Sequence, residues 1–191
     1  MISYAVSVGS FGEYMTPALA EAFRKSQLRN LELSFRSCAE STEAARISAE
    51  LTRNLLDEGV VRSASVHLPF YAAGRCWDPS ALDESRRREV AARFRKLIRD
   101  NAELMAPHVT LHASNEPPPD EHPARIDQAC RTIEEMIPLA GELGFSINIE
   151  YLPRTCLGNC VEELQTITSR FDPKHVGICF DVNHVMDRRR E

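Results

Sequence analysis

Hydrophobic and polar residues alternate along six short segments of the chain, which is typical of β-strands with one buried face. The clearest alternation runs over residues 146–151. There Ile147 and Ile149 share one face, while Glu150 ends the other. The predicted strands cover residues 2–8, 30–35, 63–68, 108–113, 146–151 and 176–181.

Segments with a helical period separate these strands. In residues 41–58, for example, Ile47, Leu51 and Leu55 form one apolar stripe, and Gly59 follows as a C-terminal cap. The predicted helices cover residues 16–27, 41–58, 84–105, 124–143 and 161–170. Strands that alternate with helices pair in parallel, because each helix returns the chain to the same edge of the sheet.

The two faces of each predicted strand differ, and this difference indicates a barrel. An open, doubly wound sheet is covered by helices on both sides, so its strands are apolar on both faces. Here one face is apolar and the other is small or polar, as expected when the second face lines a barrel interior. We therefore predict an α/β fold of the parallel (β/α) TIM-barrel type, with about six of the eight units in one partial domain, residues 1–191.

The polar faces end in residues that can do chemistry. Because the active site of a TIM barrel lies at the carboxyl ends of its strands, we expect these side chains to meet at one mouth. They are Glu32, His67, His112, Glu150 and Asp181, with His184 in the following turn. A carboxylate that faces a barrel interior costs several kcal/mol unless it is paired or bound to a metal, which favours a functional role for Glu150.

Other residues leave two interpretations open. Phe70 and Trp77 belong either to the core or to the wall of a sugar pocket. His67 and His112 are either satisfied polar core residues or site residues.

Composition and charge exclude several function classes. The 191 residues carry a net charge of −5, which gives no electrostatic case for a polyanionic partner. No segment approaches the length of about 20 apolar residues needed to span a membrane, and no basic leader precedes the first strand, so we expect a cytoplasmic protein.

The six cysteines are scattered, which favours reduced thiols. Cys156 and Cys160 have a spacing compatible with zinc but no second pair nearby.

Three segments resemble the xylose isomerase-like TIM-barrel superfamily of sugar phosphate isomerases and epimerases. They are SVHLPF (65–70), INIEYLPRTCLGN (147–159) and VGICFDVNHV (176–185). The resemblance implies that Glu150 and Asp181 bind a divalent metal, with manganese, magnesium or cobalt expected and zinc as a further candidate. It also implies that Glu150 is a catalytic acid/base group and that His184 contacts the substrate. We assign His67, His112, Glu32 and Trp77 to the binding of a sugar or sugar phosphate.

The chain departs from the family pattern in its length. The family takes a histidine and a second glutamate from its seventh and eighth strands, and a complete barrel needs about 250 residues. We therefore expect a truncated barrel with an incomplete metal site, in which the metal is weakly bound or absent and the chain by itself has little or no isomerase activity. Alternatively, another chain completes the barrel. The exposed sheet edge is a candidate surface for a homo-oligomer.

Two other functions remain as alternatives. A type IV apurinic endonuclease shares the fold and uses strand-end histidines such as His67 and His112 together with Glu150, Asp181 and His184. The acidic net charge argues against this and against nucleic acid as a partner. The second alternative is a sugar-binding protein without catalytic activity.

Overall fold

Six parallel strands form one sheet in the computed structural model, which describes residues 4–185. Each strand pairs with the next of the six along the chain, so the order of the strands in the sheet is the same as their order in the sequence. The strands are β1 (Val6–Ser7), β2 (Asn30–Ser34), β3 (Arg62–His67), β6 (His108–Leu111), β7 (Ser146–Glu150) and β8 (Val176–Cys179). Two further strands, β4 (Tyr71–Ala72) and β5 (Arg75–Cys76), form a separate hairpin. Among the described residues β1 and β8 do not pair, so the barrel is open between them.

Helices connect the strands, as the periodicity predicts. They are α1 (Pro17–Lys25), α2 (Phe35–Cys38), α3 (Glu43–Asp57), α4 (Glu84–Asp100), α5 (His122–Leu143) and α6 (Val161–Thr168). Short 3₁₀ helices cover Ala102–Leu104, Pro119–Glu121 and Val182–Val185. Four of the described α-helices begin at side-chain caps, where Thr16, Ser34, Thr42 and Asp83 accept hydrogen bonds from backbone amides of the first turn.

The predicted difference between the two strand faces is present. The outward residues are buried beneath the helices; among them are Leu31, Val66, Val109, Leu111, Ile147 and Ile149. The inward residues, including Glu32, His67 and Asn148, keep partial exposure in the lumen. The last strand is the exception, because Ile178 is 47% exposed and Phe180, just after β8, is 60% exposed. The fold is therefore an α/β TIM-barrel type with six of its strands present.

Several element boundaries differ from the prediction. The first strand covers only Val6–Ser7, and the start predicted at Ile2 lies outside the described residues. The helix predicted to reach residue 105 ends at Asp100, where the chain tightens into a 3₁₀ turn. The fifth helix begins at His122 and continues through Pro138.

A small hairpin interrupts the segment predicted to be a long loop after β3. It pairs β4 (Tyr71–Ala72) with β5 (Arg75–Cys76) in antiparallel fashion. The two turn residues, Ala73 (φ 50°) and Gly74 (φ 69°), both adopt the left-handed conformation that a tight two-residue hairpin requires.

A buried arginine joins two of the helices. The Arg87 side chain on α4 is 3% exposed, and it pairs with Glu84 on the same helix at 2.9 Å and with Glu135 on α5 at 2.8 Å. Arg87 Nη1 also donates to Thr132 Oγ1 at 3.3 Å. No helix in the described part of the chain has the length and apolar character needed to cross a bilayer.

Candidate active site

A cavity of about 1200 Å³ opens at the carboxyl ends of the strands. The residues that line it come from the ends of β2, β3, β6, β7 and β8 and from the loops that follow. Six of the residues singled out from the sequence lie here: Glu32, His67, His112, Glu150, Asp181 and His184. The expectation that strand-end side chains meet at one mouth therefore holds for these six.

Glu150 lies at the centre of this group, and its side chain is only 7% exposed. Its Oε2 atom lies 2.9 Å from Nε2 of His67 and 3.0 Å from Nε2 of His112. Its Oε1 atom faces the other way, 3.5 Å from Nδ1 of His184. One carboxylate therefore connects two separate clusters of side chains.

The environment of Glu150 keeps the carboxyl ionised. Burial alone would raise its pKa, because a charge is poorly solvated in the protein interior. The contacts with His112 and His67 outweigh burial and lower the pKa of Glu150 to about 2.

His67 is held by hydrogen bonds at both ring nitrogens. Nδ1 lies 2.8 Å from the carbonyl oxygen of Leu68, an obligatory acceptor, so Nδ1 carries a hydrogen. Burial lowers the pKa of His67, but the hydrogen bond with Glu150, the charge of Glu150 and the hydrogen bond with Leu68 together raise it by more, so the net pKa lies above the ordinary value. His67 and Glu150 therefore form an ion pair when His67 is protonated.

His112 is in contact with two aromatic rings. Its imidazole is stacked on Phe70 with ring centroids 4.7 Å apart and an angle of 4° between the planes, and it meets His67 edge-on at 4.9 Å. Burial lowers the pKa of His112 by more than the contact with Glu150 raises it, and the charge of His67 lowers it further. The two neighbouring histidines therefore differ in their preference for a proton.

Asp181 and His184 lie beside the other oxygen of Glu150. The backbone amide of Asn183 donates to Asp181 Oδ1 at 2.7 Å, which fixes the turn after β8. His184 Nδ1 lies 2.9 Å from the carbonyl oxygen of Tyr151 and 3.7 Å from Asp181 Oδ2. Since Nδ1 donates to this carbonyl, the lone pair of the ring is at Nε2.

Among the described residues, two groups of three side chains have ligand atoms close enough for a metal ion. Glu150, Asp181 and His184 form one group, and His67, His112 and Glu150 form the other, with the atoms of each within 4.8 Å of one another. Mixed carboxylate and imidazole donors suit manganese, cobalt or zinc, whereas magnesium prefers oxygen ligands. The side chains present therefore fit a divalent metal, and Glu150 belongs to both groups.

Glu32 and Trp77 occupy different surroundings. Glu32 faces the cavity and accepts a hydrogen bond from Ser65 Oγ at 3.3 Å. Trp77 lies in the hydrophobic core, 7% exposed, with its ring 5.5 Å from that of Phe94. This corrects the assignment of Trp77 to substrate binding, because a buried indole packed on a helix offers no surface to a ligand.

The cavity also has lining residues that the sequence interpretation did not assign. Arg154 and Glu116 pair across two loops at its rim. Arg154 adopts a left-handed backbone conformation (φ 57°), which is uncommon for a residue other than glycine. The segment INIEYLPRTCLGN (147–159), which carries part of the family resemblance, was the available signal for Arg154, but nothing in the sequence indicates its pairing with Glu116.

A family model described as xylose isomerase-like TIM barrel matches residues 20–191. The chain belongs to this family. The resemblance drawn from the three sequence segments is thereby confirmed.

Individual relatives of this xylose isomerase-like chain are distant. An uncharacterized protein of Methanocaldococcus jannaschii is 28% identical over 123 residues, which cover 62% of this chain and 41% of that protein. The crystal structure of a D-tagatose 3-epimerase-like protein has 24% identity and a TM-score of 0.75, covering 96% of this chain and 66% of that one. D-psicose 3-epimerase with D-tagatose, from Clostridium cellulolyticum H10, has 13% identity and a TM-score of 0.78, with 100% and 67% covered.

These comparisons also describe how much of each protein is shared. The chain spans less than half of the curated relative and about two thirds of the two solved structures. At such low identity, the likeness to the solved structures shows the fold alone.

Proposed function

We propose that this chain carries the metal-binding half of a sugar isomerase or epimerase site, in which a proton moves at the carbon beside a carbonyl group. The observation that carries the proposal is the position of Glu150. Its Oε1 faces Asp181 and His184, while its Oε2 contacts His67 and His112 at the floor of an open cavity. A base next to a cation site is what proton transfer beside a carbonyl requires.

Each side chain has a proposed role. Glu150 removes a proton from the substrate carbon and returns it, and one of its oxygens would bind the metal. Asp181 would bind the metal together with Glu150, and His184 contacts substrate oxygens. When bound, a divalent ion supplies positive charge near the carbonyl and hydroxyl oxygens.

The remaining polar residues position the base and the substrate. His67 fixes Glu150 through Nε2 while its own ring is held by the Leu68 carbonyl. His112 and Glu32 present nitrogen and oxygen atoms to the cavity for sugar hydroxyl groups. We propose a sugar or a sugar phosphate as the ligand, in keeping with the epimerases named among the structural neighbours.

Proton exchange with solvent tests the proposal directly. The chain with Mn²⁺ is incubated with D-fructose or D-tagatose in D₂O, and deuterium at the carbons beside the carbonyl is followed by NMR. We expect slow incorporation that is lost in Glu150→Gln and retained in Glu142→Gln, whose carboxylate pairs with Arg99 on the exposed surface. Incorporation that is equal in Glu150→Gln and the unsubstituted chain would overturn this role for Glu150.

A metal titration separates an inactive chain from one that lacks the site. We expect weak Mn²⁺ binding by calorimetry that disappears in both Glu150→Gln and Asp181→Asn. Binding without deuterium incorporation, together with stabilisation by sugars, would favour the sugar-binding protein without catalytic activity.

The second cluster favours one further function. His67, His112 and Glu150 could hold a metal of their own, and a metal-dependent apurinic endonuclease uses strand-end histidines of this kind. The net charge of −5 argues against DNA, since phosphate contacts dominate such affinity. Salt-sensitive binding to a duplex with an abasic site would favour the endonuclease over the sugar enzyme.

A further inference from the structure

The β7 loop, residues 151–160, forms part of the cavity wall. Four of its residues line the cavity: Leu152, Pro153, Arg154 and Cys156. The loop is bound by two side chains, His122 and Glu163, that lie outside the described cavity lining. His122 is the first residue of α5 and is 9% exposed, and Glu163 lies in the first turn of α6.

These two side chains hold the β7 loop at two backbone positions. Nε2 of His122 donates to the carbonyl oxygen of Thr155 at 3.0 Å, and the amide of Gly158 donates to Oε2 of Glu163 at 2.9 Å. His122 and Glu163 also contact each other, with Nδ1 of the ring 2.6 Å from Oε1 of the carboxylate. One histidine–carboxylate pair therefore connects α5, α6 and the loop.

The contacts of His122 require one more hydrogen than a neutral ring and an ionised carboxylate provide. A carbonyl oxygen only accepts hydrogen bonds, so the hydrogen of a neutral ring is at Nε2. Nδ1 then carries a lone pair that faces Oε1 at 2.6 Å, and this contact is repulsive. The contact is attractive only when a proton lies between Nδ1 and Oε1. His122 and Glu163 therefore bind each other only while they share that proton.

Glu163 is the charged group that faces His122. Neither residue forms another ion pair among the described side chains. The cations of the β7 loop and of the first turn of α5 are paired elsewhere: Arg154 with Glu116, and Arg125 with Asp78 and Glu121. The loop itself presents only the Thr155 carbonyl oxygen to the ring.

The backbone around His122 has little freedom to follow a movement of the loop. Three consecutive prolines, residues 117–119, precede it, and Pro123 follows it. A proline ring fixes the φ angle at about −65°. The 3₁₀ turn that begins at Pro119 also continues directly into α5. Loss of the shared proton should therefore move the loop rather than the start of the helix.

We propose that His122 and Glu163 are positioning residues that hold the β7 loop in the cavity wall through one shared proton, and that loss of this proton releases the loop. Because the contact exists in the protonated state, its stabilisation is present at low pH and is lost as the pH rises. The released loop includes Arg154, so the rim of the cavity changes with it. Neither His122 nor Glu163 lines the cavity, so this pH-sensitive contact is independent of the reaction proposed there.

Two variants of similar shape test this role in the full chain. In Glu163→Gln the side-chain amide donates to Nδ1 and its oxygen accepts from Gly158, so a neutral His122 satisfies every contact. His122→Phe keeps a ring but removes both nitrogens. Exchange of the amide hydrogens of residues 151–160 is measured by mass spectrometry between about pH 5 and pH 9, relative to the intrinsic exchange rate at each pH.

The variants should differ in how protection of the loop depends on pH. In the unsubstituted chain we expect protection to fall about tenfold as the pH rises, since hydrogen bonds to the loop are lost. Glu163→Gln should keep its protection over the whole range, and His122→Phe should lack it throughout. Nitrogen NMR shifts of the His122 ring should show hydrogens on both nitrogens at low pH and on Nε2 alone at high pH.

The controls separate this role from folding and from the proposed function. His108→Phe replaces an exposed histidine at the start of β6 and should leave protection of the loop unchanged. The same fall in protection in Glu163→Gln and in the unsubstituted chain overturns the proposal, as does equal protection in His122→Phe. Glu163→Gln decides the question even where His122→Phe fails to fold, because it removes no hydrogen bond. None of these measurements uses a sugar or a metal, so their outcome is separate from that of the proposed function.

Discussion

Oε2 of Glu150 lies 2.9 Å from Nε2 of His67, although the two residues are 83 positions apart in the sequence. They belong to β7 and β3, which are separated in the sheet by β6. Neighbouring strands are about 4.8 Å apart, so a contact between next-but-one strands requires long side chains that converge on the concave face of a curved sheet. His112, just after β6, reaches the same oxygen, and three consecutive strands therefore meet at one atom.

Replacement of His67 by Ala should weaken metal binding without removing a carboxylate. His67 orients Glu150 through a hydrogen bond, and loss of such orienting groups costs metal sites about 10- to 100-fold in affinity. We expect a Mn²⁺ dissociation constant raised by about tenfold in calorimetry. His108→Ala, which changes an exposed histidine at the start of β6, serves as the matched control. The same affinity in both variants would contradict an orienting role.

Replacement of Arg87 by Met should destabilise the fold by about 2 kcal/mol. Arg87 is almost completely buried, and its removal breaks hydrogen bonds with Glu84, Glu135 and Thr132 between α4 and α5. The neighbouring Arg88 is 70% exposed, and Arg88→Met should change stability by less than about 0.5 kcal/mol. Urea unfolding followed by circular dichroism measures the free energy of unfolding of both variants. Equal decreases would show that burial of Arg87 adds no stability.

The same cluster should make stability depend on pH. Hydrogen bonds from Arg87 and Arg88 lower the pKa of Glu84 from 4.5 to about 2. The pKa of Glu135 is also lowered, because its interactions with Arg87 and Arg95 outweigh burial, which alone would raise it. A carboxyl whose pKa is lower in the folded state stabilises the protein above its unfolded pKa, and this contribution is lost as the pH falls. The free energy of unfolding should therefore decrease from pH 4.5 towards pH 2. The difference between Arg87→Met and the unsubstituted chain should shrink over that interval, and a constant difference would contradict this linkage.

Replacement of Gly158 by Ala should cost more stability than replacement of Gly59 by Ala. Both glycines have positive φ angles, of 79° and 67°, so both substitutions carry a backbone cost of about 1 kcal/mol. Only at Gly158 would the new Cβ lie 2.9 Å from Leu164 Cδ2 and 3.3 Å from the Glu150 carbonyl oxygen. Thermal unfolding of the two variants provides the comparison, and equal midpoints would show that the loop adjusts freely.

The open edge at β8 should support self-association. The backbone of an edge strand offers unpaired hydrogen-bonding groups, and Ile178 and Phe180 leave apolar surface exposed beside it. We expect concentration-dependent dimers in analytical ultracentrifugation, reduced by Ile178→Lys. A monomer at all concentrations would remove the edge as an oligomer surface.

Much of the fold follows from local pattern. The alternation in residues 146–151 correctly placed Ile147 and Ile149 beneath the helices and Glu150 in the lumen, because a strand side chain can point to only one of two faces of the sheet. The hairpin after β3 could not be predicted in the same way. Its strands have two residues each, too few to show a period, and its turn places Ala73 in a conformation that alanine seldom adopts.

The site was predictable as a set of residues and not as a set of contacts. Strand ends identified His67, His112 and Glu150, but the division of the Glu150 oxygens between two clusters depends on sheet curvature and side-chain rotamers. The sequence also allowed Trp77 to be either a ligand or core, since both uses favour an aromatic residue. Only its packing on Phe94 decides between them.

The two carboxylates of the candidate metal group lie in parts of the sheet with different protection from solvent. Glu150 ends β7, which has a paired strand on each side and two fully buried isoleucines, whereas Asp181 follows the edge strand β8. Opening of an edge requires less free energy than global unfolding, so amide hydrogens around Ile178 should exchange faster than those around Ile149. A ligand that contacts both carboxylates binds only the state in which β8 is paired with β7. Its apparent affinity therefore includes the free energy of keeping β8 paired.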